Sequence, residues 1–110
     1  MMSPEAIGEW VTSFRASSNG SFQLNLWIPD PAPLRDAGRE AMLRDFLGQW
    51  GPAVSPEAGD AGPLDFPAQC NAMLAAAPTV ISSIMGLYPD AFVVRMKDQG
   101  VKWFATVTTV

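Results

Sequence analysis

Thr79-Val80-Ile81-Ser82-Ser83-Ile84-Met85, followed by Val101-Lys102-Trp103-Phe104-Ala105-Thr106-Val107-Thr108, decides the fold. Both runs are rich in β-branched and aromatic residues. Pro78, Gly86 and Gly100 bound them, so each reads as a strand. Between them, Pro89-Asp90 opens a segment with Phe92, Val93 and Met96 directed inward, and Gly100 stands just past its end, as at a helix C-terminus. Strand, helix, strand implies parallel pairing by a crossover, and the link from Met85 to Val101 is about the shortest that closes such a unit.

The same grammar extends upstream. Ser3-Pro4-Glu5 is a helix start, with a capping hydroxyl, a proline at the first position and an acid at the positive dipole end. Ile7, Trp10, Val11 and Phe14 form one apolar stripe, and Asn19-Gly20 is expected to stop the helix by adopting positive φ. Phe22 to Ile28 alternates as a strand, with Phe22, Leu24, Leu26 and Ile28 on one side and Gln23, Asn25 and Trp27 on the other. A helix over 34–50 is expected to bury Leu43, Phe46, Leu47 and Trp50. The proline- and glycine-containing stretch 51–64 reads as a loop. Asp65 is a candidate cap for a helix carrying Phe66, Cys70, Met73, Leu74 and Ala77.

The expected order is helix 3–18, strand 22–28, helix 34–50, loop 51–64, helix 65–77, strand 79–85, helix 89–99 and strand 101–108. This is one partial α/β domain over 1–110, with three parallel strands and alternating helices. The four tryptophans fall on apolar stripes or strands and are expected in the core.

Composition narrows the chemistry. The 110 residues are 48% apolar and 16% charged, with a net charge of −4. Scattered lysines and arginines argue against nucleic acid and anionic membranes. The sequence has no histidine, which excludes His general bases and most zinc sites. The single cysteine, Cys70, forms no internal disulfide, reads as a core thiol and fits a reducing, cytoplasmic setting. No glycine-rich phosphate loop is present.

In α/β folds ligands sit beyond the carboxyl ends of the strands. Those ends hold Asn25, then Ser82, Ser83 and Met85, then Thr106 and Thr108, which are the candidate pocket-lining residues. Asn25 stands out because asparagine is disfavoured inside a strand. Amides and hydroxyls orient polar ligands but do not by themselves move protons near neutrality.

Read together, FQLNLWIPDP, VISSIMGLYP and VKWFATVTTV resemble consecutive strand ends of the nitronate monooxygenase (2-nitropropane dioxygenase) family. Its members are FMN-dependent (β/α)₈ barrels. The family's F-G-V-N-L strand corresponds to Phe22–Leu26 and its V-V-S-F-x-F-G strand to Val80–Gly86. Its R-L-K-x-x-G helix end corresponds to Arg95–Gly100 and its A-T-A-T-T-V strand to Ala105–Val110. The resemblance covers essentially the whole chain and rests on the ordered set of motifs. It implies oxidation of an alkyl nitronate with O₂ to a carbonyl compound and nitrite. It also implies that Asn25 contacts the flavin. Ile84 stands where some members place a histidine.

The family's flavin loop and catalytic base have no counterpart in these 110 residues, so the resemblance implies about three βα units from the middle of a barrel, with no turnover and little FMN binding by this chain alone. The alternative expectation is a non-catalytic α/β module that pairs with itself or a complementary chain through unpaired sheet edges.

Overall fold

In a computed structural model, which describes residues 2–60 and 62–106, the expected alternation is realised. The elements are α1 (Pro4–Ser17), β1 (Gln23–Trp27), α2 (Ala37–Leu47), a 3₁₀ turn (Pro56–Asp60), α3 (Phe66–Ala75), β2 (Val80–Ile84), α4 (Asp90–Asp98) and β3 (Lys102–Ala105). The chain divides into two compact units, Met1–Pro29 with Leu64–Val110, and Asp30–Pro63.

The first unit is an α/β layer. Its three strands lie in the order β1-β2-β3, and both neighbouring pairs are parallel. Consecutive strands are therefore spatial neighbours, as in a singly wound barrel wall, rather than reversed as at the switch point of a doubly wound sheet. Side-chain alternation explains the layering. Leu24 aligns with Ile81 and Trp103, and Leu26 with Ser83 and Ala105. Leu26, Ile81 and the half-buried Leu24 and Trp103 join one core with Ile7, Cys70, Met73, Leu74, Phe92 and Met96 from α1, α3 and α4. Helices α1, α3 and α4 thus share one face, and on the other Gln23, Asn25, Trp27 and Phe104 are exposed. Each fully buried side chain of this set contributes about 1.5–3 kcal/mol.

Local chemistry sets the helix ends. Ser3 Oγ accepts from the Ala6 amide and Asp65 Oδ1 from the Ala68 amide, capping α1 and α3 as expected. Arg15 of α1 donates to the Ala76 carbonyl at 2.7 Å and so closes the C-terminus of α3. Gly100 follows α4 at φ +70°, a conformation that favours glycine. The stop after α1 differs from expectation. Neither Asn19 nor Gly20 has positive φ; Ser18 turns extended, and its hydroxyl accepts from the Gly20 amide.

The second unit contains α2 and the 3₁₀ turn. The helix begins at Ala37 rather than 34, because Asp36 caps it through the Arg39 amide. Arg35 organises the unit: its guanidinium pairs with Glu40, donates to the Gly59 carbonyl at 2.5 Å and meets Asp60 at 3.2 Å. A side chain at Gly59 would collide with that guanidinium at 2.7 Å. The expected burial of Leu43, Phe46, Leu47 and Trp50 does not occur, and Trp50 is 79% exposed. The unit offers α2 no second layer to pack against. The tryptophans as a group also depart from expectation: Trp10 and Trp27 are exposed, and Trp103 alone reaches the core margin.

Candidate functional site

The open face of the sheet is built by parity from the residues opposite the core set. Register places Gln23 beside Val80 and Lys102, Asn25 beside Ser82 and Phe104, and Trp27 beside Ile84. At its centre three side chains form a hydrogen-bonded chain. Gln23 Nε2 donates to Ser82 Oγ at 2.7 Å, and Ser82 Oγ donates to Asn25 Oδ1 at 2.8 Å. Trp27 and Phe104, 54% and 56% exposed, flank the polar centre with aromatic surface. The structure thus brings Asn25 and Ser82 together.

Ser83 takes the opposite side. It is fully buried in the helix-facing core, where its hydroxyl accepts from Trp103 Nε1 at 3.1 Å. It therefore does not line the open face, because adjacent strand residues point to opposite sides. Met85 is exposed at the end of β2 with φ +67°, a conformation that costs a non-glycine residue about 1–2 kcal/mol. Gly86, at φ +155°, passes so close to Ile28 that a Cβ there would lie 3.1 Å from that side chain. Together they fix the exit from β2. Thr106 is exposed and extends the ladder by donating its amide to the Ser83 carbonyl at 3.0 Å. Thr108 lies outside the described residues.

Beneath the face, Tyr88 ties the core to the strand. It is buried, its Oη donates to the Ser82 carbonyl at 3.0 Å, and burial pushes its phenol well above the usual range. Cys70 is likewise buried, and desolvation pushes its thiol up to about 11, so it is the inert core thiol expected from its neighbours.

In the sheet unit a concavity of about 260 Å³ sits on the helix side between α3 and α4, walled by Phe66 and Phe92, with Arg95 donating to Asn71 Oδ1 at 2.8 Å. The second unit has one of about 420 Å³ that includes Leu43, Leu47, Val54 and Arg35. Among the described residues no group of three or more His, Cys, Asp or Glu side chains could hold a metal ion. No described helix is long and apolar enough to cross a membrane.

The open face therefore offers amides, a hydroxyl and aromatic rings, with Lys102 at one end. Such a set has the chemistry to hydrogen-bond and border a polar planar ligand. Gln23, Lys102 and Phe104 complete it beyond the residues singled out from sequence. Their signal was the alternation itself, which puts every second residue of β1 and β3 on the face that Asn25 occupies. No family model matches the chain, and no curated protein matches it.

Proposed function

We propose that this chain forms part of the wall of an FMN site of the nitronate monooxygenase type, in a reducing, cytoplasmic setting. The observation that carries the reading is Asn25. A strand-interior asparagine stands on the helix-free face of a singly wound parallel sheet, hydrogen-bonded to Ser82 on the neighbouring strand. A barrel builds its site at the carboxyl ends of its strands, and Asn25 stands two residues before the end of β1.

The donor set fits a flavin ring edge. Asn25 and Gln23 supply amide groups, and Trp27 and Phe104 supply apolar borders for a planar ring system. When bound, FMN would supply two-electron oxidation of an alkyl nitronate, with O₂ as acceptor, yielding a carbonyl compound and nitrite. This chain's residues would hold and orient the ring; among the described residues the open face carries no pair of groups suited to acid–base work.

The test is titration of FMN with the purified protein, followed by fluorescence quenching. The protein is expected to be colourless as isolated and to quench weakly but saturably. Asn25→Ala should lower affinity about tenfold, the value of one hydrogen bond at the upper end of its usual range. Asn71→Ala, in the helix-side cleft, should leave it unchanged. Absence of saturable quenching, or indifference to Asn25→Ala, would overturn the reading.

Among the described residues the outer edges of β1 and β3 are unpaired, which favours a second reading, assembly with itself or a complementary chain through the sheet. Native mass spectrometry decides it: a monodisperse monomer at high concentration counts against self-assembly.

A further inference from the structure

A serine hydroxyl has one proton, so two amides that share it cannot both accept from it. Here Gln23 Nε2 occupies a lone pair of Ser82 Oγ, and the hydroxyl proton goes to Asn25 Oδ1. An Asn25 amide held by its oxygen turns its NH₂ group away from Ser82. Ser82 is itself pinned: it is buried, register sets it beside Asn25, and its carbonyl accepts from Tyr88 Oη. The next hydroxyl along the strand, Ser83, is taken by Trp103 on the other face. Phe104, across β2 from Asn25, offers no acceptor for the outward NH₂.

We propose that Gln23 and Ser82 are positioning residues that present the Asn25 NH₂ group outward, so that the open face takes the acceptor edge of its ligand, a ring carbonyl or unprotonated ring nitrogen. The proposal rests on the reading of Asn25 as a ligand contact. Its logic is a relay of polarity. The donor end of Gln23 dictates the direction of the Ser82 hydroxyl, which dictates the direction of the Asn25 amide. A residue that does not need to touch the ligand thereby selects which edge of it is bound. The reverse chain, with Asn25 donating to Ser82 and Ser82 to the Gln23 carbonyl, would present Oδ1 and select a donor edge instead.

Gln23→Glu separates the two, because a carboxylate only accepts and forces the reverse chain with almost no change of shape. The experiment is ¹H–¹⁵N NMR of the side-chain amides in the full chain. In the unmodified protein the Gln23 Nε2 proton that meets Ser82 Oγ should exchange more slowly than the Asn25 NH₂ protons and show nuclear Overhauser contacts to the Ser82 β protons. The Asn25 NH₂ should exchange fast. In Gln23→Glu the Asn25 NH₂ should become the protected pair. A protected Asn25 NH₂ in the unmodified protein, or an Asn25 pair indifferent to Gln23→Glu, overturns the proposal whatever the ligand does.

FMN serves as the probe for the second arm. It should shift the Asn25 NH₂ pair and leave the Gln23 pair in place. Gln23→Glu should cost about tenfold in FMN affinity, as expected for one reversed hydrogen bond. Ser82→Ala, which frees the Asn25 amide to turn either way, should cost less. FMN that moves neither amide would sink the flavin reading, while the exchange pattern would still support the orientation.

Discussion

The two units of this chain carry large apolar side chains and use them in opposite ways. In the sheet unit, Met73, Leu74, Ile81 and Met96 are at or below 1% exposure. In Asp30–Pro63 no described residue is buried, and Leu43, Phe46, Leu47 and Trp50 all remain open. The difference lies in what each stripe meets. The apolar sides of α3 and α4 close on a sheet, whereas α2 has within its own unit only irregular chain and one 3₁₀ turn. An amphipathic period says that a helix has a side to bury; a second layer is needed to bury it. What orders the second unit is polar: Arg35 gathers Glu40, Gly59 and Asp60 around one guanidinium.

The contrast breaks most directly by truncating one apolar residue in each unit. Met96→Ala should destabilise the protein by about 2–5 kcal/mol in chemical denaturation, since the cavity has no solvent to fill it. Phe46→Ala should stay within about 0.5 kcal/mol. Equal losses would show that the second unit has a core after all.

Next in size is Ser83→Ala, which leaves Trp103 Nε1 without its acceptor at the core margin and should cost about 1–3 kcal/mol by the same measurement. Asp65→Ala removes the α3 cap and should cost about 1 kcal/mol.

The alkaline pH dependence has two sources of the same sign, the raised phenol of Tyr88 and Cys70, whose buried thiol is raised from an ordinary 9.0 to about 11. The unfolded chain releases this proton first. Stability from this source is fully present below the ordinary thiol range and is lost as pH rises toward 11. Denaturation midpoints should therefore fall with rising pH on the alkaline side, and Cys70→Ala should lessen that slope.

Arg35→Ala should have the smallest global effect. It should leave the denaturation midpoint of the sheet unit unchanged while speeding proteolytic nicking within 30–63, because exposed ion pairs contribute little to overall stability. Acidification should act in the same direction. Arg35 holds Glu40 below the usual carboxylate range, so the pair is intact at neutral pH and is lost as pH falls through that lowered value.

The sheet was legible because its signals are local. Alternation in 22–28, β-branched runs at 80–84 and 101–105, and proline or glycine between them leave few other arrangements. Element ends were legible at Ser3 and Asp65, whose side chains cap helices, and at Gly100, which takes positive φ, and not at Asp36, where α2 starts later than its sequence suggests, or after α1. At Asn19-Gly20 the residue types permit positive φ, but the chain uses the Ser18 hydroxyl instead.

In the candidate site, Asn25 announced itself by being an amide in an apolar strand. Ser82 and Ser83 could not be told apart by type; only register places one beside Asn25 and the other beside Trp103. The role of Gln23 was invisible for the same reason, since its partner is 59 residues away in sequence. The exposed tryptophans mark the limit of composition: an aromatic ring states an appetite for contact, and topology decides whether the contact is supplied.

Tyr88 has one more consequence. It is the only tyrosine in the chain, and its ring lies 6.0 Å from that of Trp103. At that separation excitation absorbed by the phenol passes to the indole faster than it is emitted. The folded sheet unit is therefore expected to emit in the tryptophan band, with tyrosine emission rising only on global unfolding, when the phenol moves away from every indole of the unit.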